Sequence, residues 1–257
     1  MDYRLIADTA ILAGEIMLRS GAETYRVEDT MKHILDTAGA EKTEAIVMLT
    51  GIIVTINDPG ADAVTVMRRI RDRGTNMNRI VEVNEISRKY CAGEVSLEEI
   101  RQKLESMKGH RYSTWMYNLA TVLVPAGFAP LFGGGIAEIA ASAVTGVVSA
   151  VLITAGKKTG IGSFILNMLC SVGIAVTAVL LKAWHPALNM DTVIISGIMP
   201  LVPGVAITNA IRDTLRGDYI SGGARVLEAF VTAASVAIGI GAGIASVSML
   251  WRGGVLL

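Results

Sequence analysis

Five apolar runs dominate the second half of this 257-residue chain and set the strongest constraint on its fold. Each run is about 20–22 residues long, which lets an α-helix cross a hydrocarbon core of about 30 Å. A helix is favoured because it satisfies its own backbone hydrogen bonds, which lipid cannot do. The sequence therefore predicts a membrane domain over residues 113–257. Its five predicted spans lie near residues 113–132, 135–155, 162–181, 192–211 and 229–250.

Charged side chains divide the chain into two parts. Residues 1–112 hold 34 of the 46 charged residues, 16 basic and 18 acidic, and residues 113–257 hold the other 12. The first part combines helical apolar spacing with short runs of β-branched residues, which predicts a small water-soluble α+β domain. The predicted strands lie at residues 44–50, 51–57 and 63–69, and a helix is predicted over residues 77–90. Ser96 and Glu99 have the spacing of a capping box that opens the last helix of this domain.

Composition also excludes several classes of protein. The net charge is zero and no basic stripe is present, which argues against nucleic-acid binding. Cys91 and Cys170 fall in different parts of the chain, so a structural disulfide is not expected. The three histidines lack zinc spacing, no P-loop motif is present, and no nucleophile–base pair is evident. We therefore expect no metal, no cofactor and no enzymatic activity, and the polar N-terminal stretch is not a signal peptide.

The distribution of basic residues predicts how the chain is oriented. Cytoplasmic loops carry an excess of Lys and Arg. One side of the predicted bundle has only Lys182 and Arg252. The other side has eight: Lys103, Lys108, Arg111, Lys157, Lys158, Arg212, Arg216 and Arg225. This asymmetry predicts a cell-membrane protein with its N-terminal domain in the cytoplasm and its C-terminus outside.

A proline-glycine break interrupts the fourth apolar run. Pro200 and Pro203 cannot donate backbone hydrogen bonds, so they are expected to free the carbonyls of Ser196 and Met199. Broken helices of this kind line substrate paths in transporters. The alternative is a simple kink whose free carbonyls are met by neighbouring side chains.

Few polar side chains interrupt the spans. Glu138 is a candidate for transport or a proton relay because a carboxylate at membrane depth is costly, unless it reaches the outer interface. Asn118 and Asn167 are equally well explained as hydrogen-bond partners between helices. The candidates for a substrate path are Pro200, Pro203, Gly204, Asn209, Asn118, Asn167 and Glu138. Gly239 and Gly243 have the GxxxG spacing that predicts a close helix contact.

A dense polar segment follows the fourth run. Its candidate gating residues, whose ion pairs would exchange during transport at the cytoplasmic mouth, are Arg212, Asp213, Asp218 and Arg225. The alternative for residues 212–218 is an ordinary polar loop with a glycine turn.

A second polar motif lies near the N-terminus, at residues 20–29. A capping box of Ser20 with Glu23, and a pair of Glu28 with Lys32 along the helix, would explain part of it. Tyr25 and Arg26 are left without a structural explanation. The motif residues of interest are Glu23, Tyr25, Arg26 and Glu28.

Taken together, these residues resemble the threonine/serine exporter (ThrE) family. The resemblance rests on residues 20–31, on Leu201–Gly204, and on a series of polar residues and glycines: Asn209, Arg212, Asp213, Gly217, Asp218, Ser221, Gly222 and Arg225. Full-length members are similar to two fused halves, and this chain is similar to the first half, as in split exporters of the YjjP/YjjB type. The resemblance implies a second membrane subunit as partner. Whether several copies of this chain also assemble is left open.

Three functions follow as hypotheses. The leading one is a subunit of a secondary exporter that moves small polar metabolites, threonine and serine first, out of the cytoplasm. An alternative within the same family is export of a dicarboxylate such as succinate. An alternative of another class is a membrane-anchored regulatory or scaffold protein whose spans only hold its soluble domain at the bilayer.

Overall fold

The structure, a computed structural model, describes residues 2–107 and 112–252, with no description of the side chains of residues 250–252. The chain divides into two compact units. The first is Met1–Arg111 with Val205–Val226, and the second is Tyr112–Gly204 with Leu227–Leu257. The first unit thus includes residues 205–226, which lie within the part of the chain predicted as membrane domain. Lys108, Arg111 and the side chain of Arg252, used above to predict orientation, lie outside the described residues.

The first unit contains a three-stranded sheet with helices from two separate segments of the chain. Its N-terminal segment contains α1 (Tyr3–Arg19), α2 (Thr24–Asp36), β1 (Lys42–Met48), β2 (Gly51–Asn57), β3 (Val64–Arg69), α3 (Met77–Cys91) and α4 (Leu97–Ser106). Its later segment contains most of α9 (Gly204–Leu215) and the start of α10 (Tyr219–Arg252). The predicted capping box is confirmed, because Ser96 Oγ accepts from Glu99 N–H and the Glu99 carboxylate accepts from Ser96 N–H.

The sheet is an antiparallel meander in the order β1-β2-β3. Along β2 the side chains of Ile52, Val54 and Ile56 are buried, and the residues between them are less buried. This alternation is typical of a sheet packed on one face only. The buried face belongs to a core with apolar residues of α1 and α2, among them Ile11 and Met31.

The second unit consists of apolar helices, most of them long. They are α5 (Thr114–Phe128), α6 (Ile136–Thr159), α7 (Ser163–Trp184), α8 (Met190–Ile198) and the remainder of α10, with 3-10 turns at Pro130–Phe132 and Met199–Leu201. Among the described residues four helices are long and apolar enough to cross a membrane, or five if one bent pair counts as a single span. That pair is Met190–Leu201 with Gly204–Leu215, which overlaps the fourth predicted span. The protein is a mostly helical, multi-pass membrane protein.

The predicted GxxxG contact is confirmed. A Cβ atom built on Gly243 would lie 2.9 Å from the carbonyl oxygen of Val172 on α7. A Cβ atom on Gly239 would lie 2.7 Å from Cβ of Ser171 on the same helix. Both glycines therefore let the backbones of α7 and α10 approach closely, as small residues do between membrane helices.

The proline break in the fourth predicted span is also present, but its carbonyls are not left free. The backbone N–H of Met199 donates to Ser196 O, and the N–H of Val202 donates to Met199 O over 3.3 Å. These are the i→i+3 bonds of a 3-10 turn, which tighten the last turn of a helix. The expectation of unsatisfied carbonyls at the two prolines was therefore wrong, because the turn supplies its own donors. The helix still breaks, since α9 begins only at Gly204.

Candidate functional site

The turn between α1 and α2, residues Gly21–Thr24, is the centre of the candidate site. Gly21 has φ +88°, a left-handed conformation that glycine adopts readily. A Cβ atom there would lie 2.9 Å from Gly74 O, so a larger residue is excluded on two grounds. This conformation turns the chain sharply from the end of α1 into the start of α2.

Each residue of this turn contacts a polar side chain of α9 or α10. Asn209 Nδ2 donates to Gly21 O over 2.9 Å, and Arg225 Nη2 donates to Ala22 O over 2.8 Å. Arg212 pairs with Glu23, and the backbone N–H and hydroxyl of Thr24 both donate to Asp213. The two polar motifs of the sequence thus form one site within the first unit.

The most buried part of this site is a polar cluster formed by Thr24, Asp213 and Arg225. Asp213 is fully buried, and its Oδ2 accepts from Arg225 Nε over 2.8 Å. Its Oδ1 accepts from Thr24 Oγ1 over 2.8 Å and from Thr24 N–H over 3.2 Å. Both oxygens are therefore satisfied, as a buried charge requires. Removing one member of a buried ion pair costs about 3–5 kcal/mol because the other charge is left without a partner.

The predicted capping box at Ser20 is absent, because Ser20 is the C-cap residue of α1, and α2 begins only at Thr24. The residue that precedes α2 is Glu23, which makes no capping hydrogen bond with its side chain. The N–H of Thr24, one of the free donors at the helix start, is instead taken by Asp213 from α9. The prediction that Ser20 and Glu23 cap this helix was therefore wrong, and a carboxylate distant in sequence supplies a cap instead.

Because the Glu23 side chain makes no capping hydrogen bond, its carboxylate is available for ion pairing. Arg212 contacts one of its oxygens, and Arg26 Nη1 lies 3.8 Å from the other. Burial opposes ionisation of Glu23, but its backbone hydrogen bond and the charges of Arg212 and Arg26 outweigh burial and lower its pKa. Glu23 is consequently held as a carboxylate between two guanidinium groups.

Glu28 does not form the ion pair with Lys32 that was predicted along α2. Its Oε1 accepts from Val47 N–H on β1 over 3.0 Å, so the carboxyl joins α2 to the sheet instead of pairing with Lys32. Burial raises the pKa of Glu28, and the nearby carboxylates of Asp218 and Asp213 raise it further. The hydrogen bond from Val47 opposes this shift without cancelling it.

The structure separates the four predicted gating residues into different roles. Asp213 and Arg225 form the buried pair, and Arg212 contacts Glu23. Asp218 lies at the start of α10, where its Oδ1 accepts from Ser221 N–H over 3.0 Å as a capping residue does. The interpretation of residues 212–218 as a polar loop with a glycine turn is correct only for residues 216–218, where Gly217 has φ +90°. It was wrong for residues 212–215, because α9 continues through Leu215.

Two contributors were not singled out from the sequence. Thr24 lies in the motif at residues 20–29, but no local pattern marks it as a hydrogen-bond donor to Asp213. Arg216 lies over the Tyr25 ring, with its guanidinium carbon 4.5 Å from the ring centroid. Such cation–π contacts stabilise an arginine near an aromatic face. Tyr25 therefore has a structural partner that lies far away in sequence.

The polar residues of the spans do not gather at one point. Asn118 Oδ1 accepts from Thr154 Oγ1 over 3.2 Å, beside a cleft of about 260 Å³ between α5 and α6. Glu138, near the other end of α6, accepts from the backbone N–H groups of Gly135 and Asn189. Sixteen residues separate Glu138 from Thr154, or about 24 Å of helix. Asn167 lies half-buried on α7.

The long apolar helices and the polar site define the class of protein. It is a multi-pass membrane protein whose first unit holds a buried ion pair and several charged side chains. Residues 8–247 match the family model described as "Putative threonine/serine exporter" (ThrE), and the chain belongs to this family. The family is one of transporters rather than enzymes.

Curated relatives share about a quarter of the residues. The chain is 24% identical to the "Probable threonine/serine exporter" of Mycobacterium tuberculosis over 92% of its own length and 45% of that protein. It is 23% identical to the "Threonine/serine exporter" of Corynebacterium glutamicum over 95% of its length and 52% of that protein. It thus spans about half of these two relatives. It is also 24% identical to the "Probable succinate transporter subunit YjjP" of Klebsiella aerogenes, covering 93% of both chains. No solved structure matches the chain.

Proposed function

We propose that this chain is a subunit of a secondary exporter that moves threonine and serine out of the cytoplasm. The observation that carries the proposal is the family match over residues 8–247. Two of the relatives described above are named for threonine and serine. The basic loops support a cytoplasmic position for the first unit and an outside position for the C-terminus.

A second membrane subunit completes the proposed exporter. The chain covers about half of the threonine/serine exporters but nearly all of a relative that is named a subunit. We infer that the remaining half of the path comes from a second ThrE-type protein in the same membrane. The same length match favours succinate as the alternative substrate, because the subunit-sized relative is named for it.

The proposed substrate path follows the break at Pro200–Gly204. Helix ends at such a break suit the charged groups of a zwitterion. The path also includes Asn118, Asn167 and Glu138, whose polar groups lie on the long helices α5, α7 and α6. For Glu138 to act in transport, its bonds to backbone N–H groups would have to exchange during the cycle.

The proposed inner gate is the ion-pair network of Arg212, Asp213, Asp218 and Arg225. Asn209 and Asp213 are four residues apart on α9, so they lie on one face of the helix that begins at the break. A movement of α9 would therefore act directly on the bond from Asn209 to Gly21 and on the buried pair. This direct linkage through one helix supports a gating role.

Efflux from cells that express this chain with a YjjB-type subunit tests the function. Cells are loaded with labelled threonine, serine or succinate, and release is measured with both subunits, with each alone and with neither. We expect threonine and serine release to rise only with both subunits. A rise confined to succinate would support the alternative substrate. No rise for any of the three would refute the exporter assignment.

A neutral double variant tests the gate. Asp213→Asn alone should lower the amount of folded protein, because Arg225 is left buried and unpaired. Adding Arg225→Gln removes that unpaired charge and should restore abundance. If the pair acts as a gate, the double variant exports at least about tenfold less per folded transporter, and the exposed Asp62→Asn control exports normally. Normal export by the double variant would assign the pair a structural role only.

A further inference from the structure

A polar cleft of about 570 Å³ lies in the first unit, among α2, β1 and the residue that follows α9. This volume is within the range of about 300–1,000 Å³ for small-molecule sites. All of its lining residues belong to the first unit: Tyr25, Glu28, Asp29, Lys32, Leu35, Thr43, Glu44, Ala45 and Arg216. None of the contacts described for the ion-pair network fills this cleft.

The cleft carries charges of both signs that do not neutralise each other. Among the described side chains, in residues 2–107 and 112–249, no ion pair within 4.0 Å involves Lys32, Arg216, Glu28 or Glu44. Opposite charges that line one cleft without pairing leave room for a ligand that carries both signs. A small α-amino acid is such a ligand, since its carboxylate suits Lys32 and Arg216 and its ammonium suits the carboxylates.

The three acidic residues of the cleft also discriminate between ligand classes. Glu28, Asp29 and Glu44 outnumber the two cations, although Asp29 Oδ1 also lies 3.7 Å from His33 Nδ1 outside the cleft. A dicarboxylate therefore meets more carboxylates than cations, whereas a zwitterion can satisfy both signs. The environment of Glu28 adds to this preference. Its carboxylate is partly desolvated and lies near Asp218 and Asp213, so a cationic group beside it would relieve unfavourable charge.

We propose that this cleft binds a small zwitterionic amino acid, with Lys32 and Arg216 contacting its carboxylate and Glu28 and Glu44 contacting its ammonium. Stacking on Tyr25 keeps the Arg216 guanidinium at the cleft. The site lies within one unit and does not depend on the transport path. The inference therefore goes beyond the proposed export function, and amino-acid binding can be measured without transport.

Calorimetric titration of the purified full-length protein in detergent tests the site with L-threonine, L-serine, succinate and L-threoninol, which lacks the carboxylate. We expect threonine and serine to bind, and succinate to bind at least about tenfold more weakly. Lys32→Gln and Glu44→Gln should each weaken threonine binding by about tenfold or more, which corresponds to ~1.4 kcal/mol. The exposed Lys42 and Glu82 lie outside the cleft, so Lys42→Gln and Glu82→Gln should bind as the wild type does.

Threoninol separates a direct contact from a general loss of folding. If Lys32 contacts the carboxylate, Lys32→Gln should change threoninol affinity by less than about twofold while it weakens threonine binding. Equal threonine affinity in the cleft variants and the controls would overturn the proposal, as would a wild-type protein that binds neither amino acid. An exporter with normal cleft binding and no efflux would instead count against the proposed function alone.

Discussion

At the residue scale, the buried carboxylate of Asp213 joins three elements of the first unit, α2, α9 and α10. This carboxylate pairs with Arg225, accepts a hydrogen bond from the Thr24 hydroxyl, and caps the start of α2 by accepting one from the Thr24 N–H. Thr24 and Asp213 are 189 positions apart, so no local pattern in the sequence could reveal this contact. The sequence placed Asp213 and Arg225 among four candidate gating residues with exchanging ion pairs, but it did not say which of the four form a pair. Nor could the sequence show that Asp213 and Arg225 contact the motif at residues 20–29.

Replacing Glu28 with Gln should stabilise the protein at neutral pH. The raised pKa means that the folded protein holds the Glu28 proton more tightly than the unfolded chain does. The stabilisation from that proton is fully present below the unfolded pKa and is lost as pH rises through the folded value. Gln keeps an oxygen for the Val47 N–H and carries no charge. We therefore expect a higher melting temperature for Glu28→Gln at pH 7, with the difference disappearing towards the ordinary glutamate pKa of 4.5.

Thermal unfolding in detergent at several pH values measures this difference. Glu82→Gln is the matched control, because Glu82 is an exposed helical glutamate of the same unit. Its melting curve should follow the wild type throughout the pH range. A stabilisation of Glu28→Gln that persists unchanged at acid pH would contradict the assignment to ionisation.

At the element scale, patterns with a local cause were predictable. The range of β2 and the capping box of α4 were predicted correctly, since alternation and capping act within a few residues. The start of α10 was not predicted. Its first ten residues include charged side chains, so the apolar run from which the span was predicted begins only at residue 229. The end of α9 was missed for the same reason. Arg212 and Asp213 look like loop residues until Glu23 and Thr24 supply their partners.

The contact between α7 and α10 yields a prediction at this scale. A Cβ atom on Gly243 would lie 2.8 Å from Cβ of Ala175, so Gly243→Ala must push the helices apart or displace Ala175. Overpacking of this kind costs about 1–3 kcal/mol. Gly241→Ala is the matched control, because open space surrounds that position on the same helix. We expect a lower melting temperature for Gly243→Ala. For Gly241→Ala we expect no decrease, because the added methyl group meets no neighbour and favours the helix. Equal melting temperatures would show that the helices do not pack at this site.

At the scale of the whole molecule, charge patterning predicted two parts but not how the chain divides between them. After the chain has passed through four helices of the second unit, it returns to the first unit with Val205–Val226. This return is specified by buried polar contacts such as that between Asn209 and Gly21. Composition cannot reveal such contacts, because α9 combines apolar residues with few charges and therefore resembles a membrane span.

Cys91 offers a test of the orientation proposed for the whole chain. It is exposed in the first unit, whereas Cys170 is buried on α7. The sulfur of this exposed residue is partly desolvated, and this desolvation together with the nearby Asp36 carboxylate raises the pKa of Cys91. Labelling with a maleimide should therefore be slow at neutral pH and faster towards about pH 8.5. With a membrane-impermeant maleimide, we expect labelling in inside-out vesicles but not in intact cells. Cys91→Ser should abolish the signal. Labelling of Cys91 in intact cells would place the first unit outside, and the basic loops could then no longer be assigned to the cytoplasm.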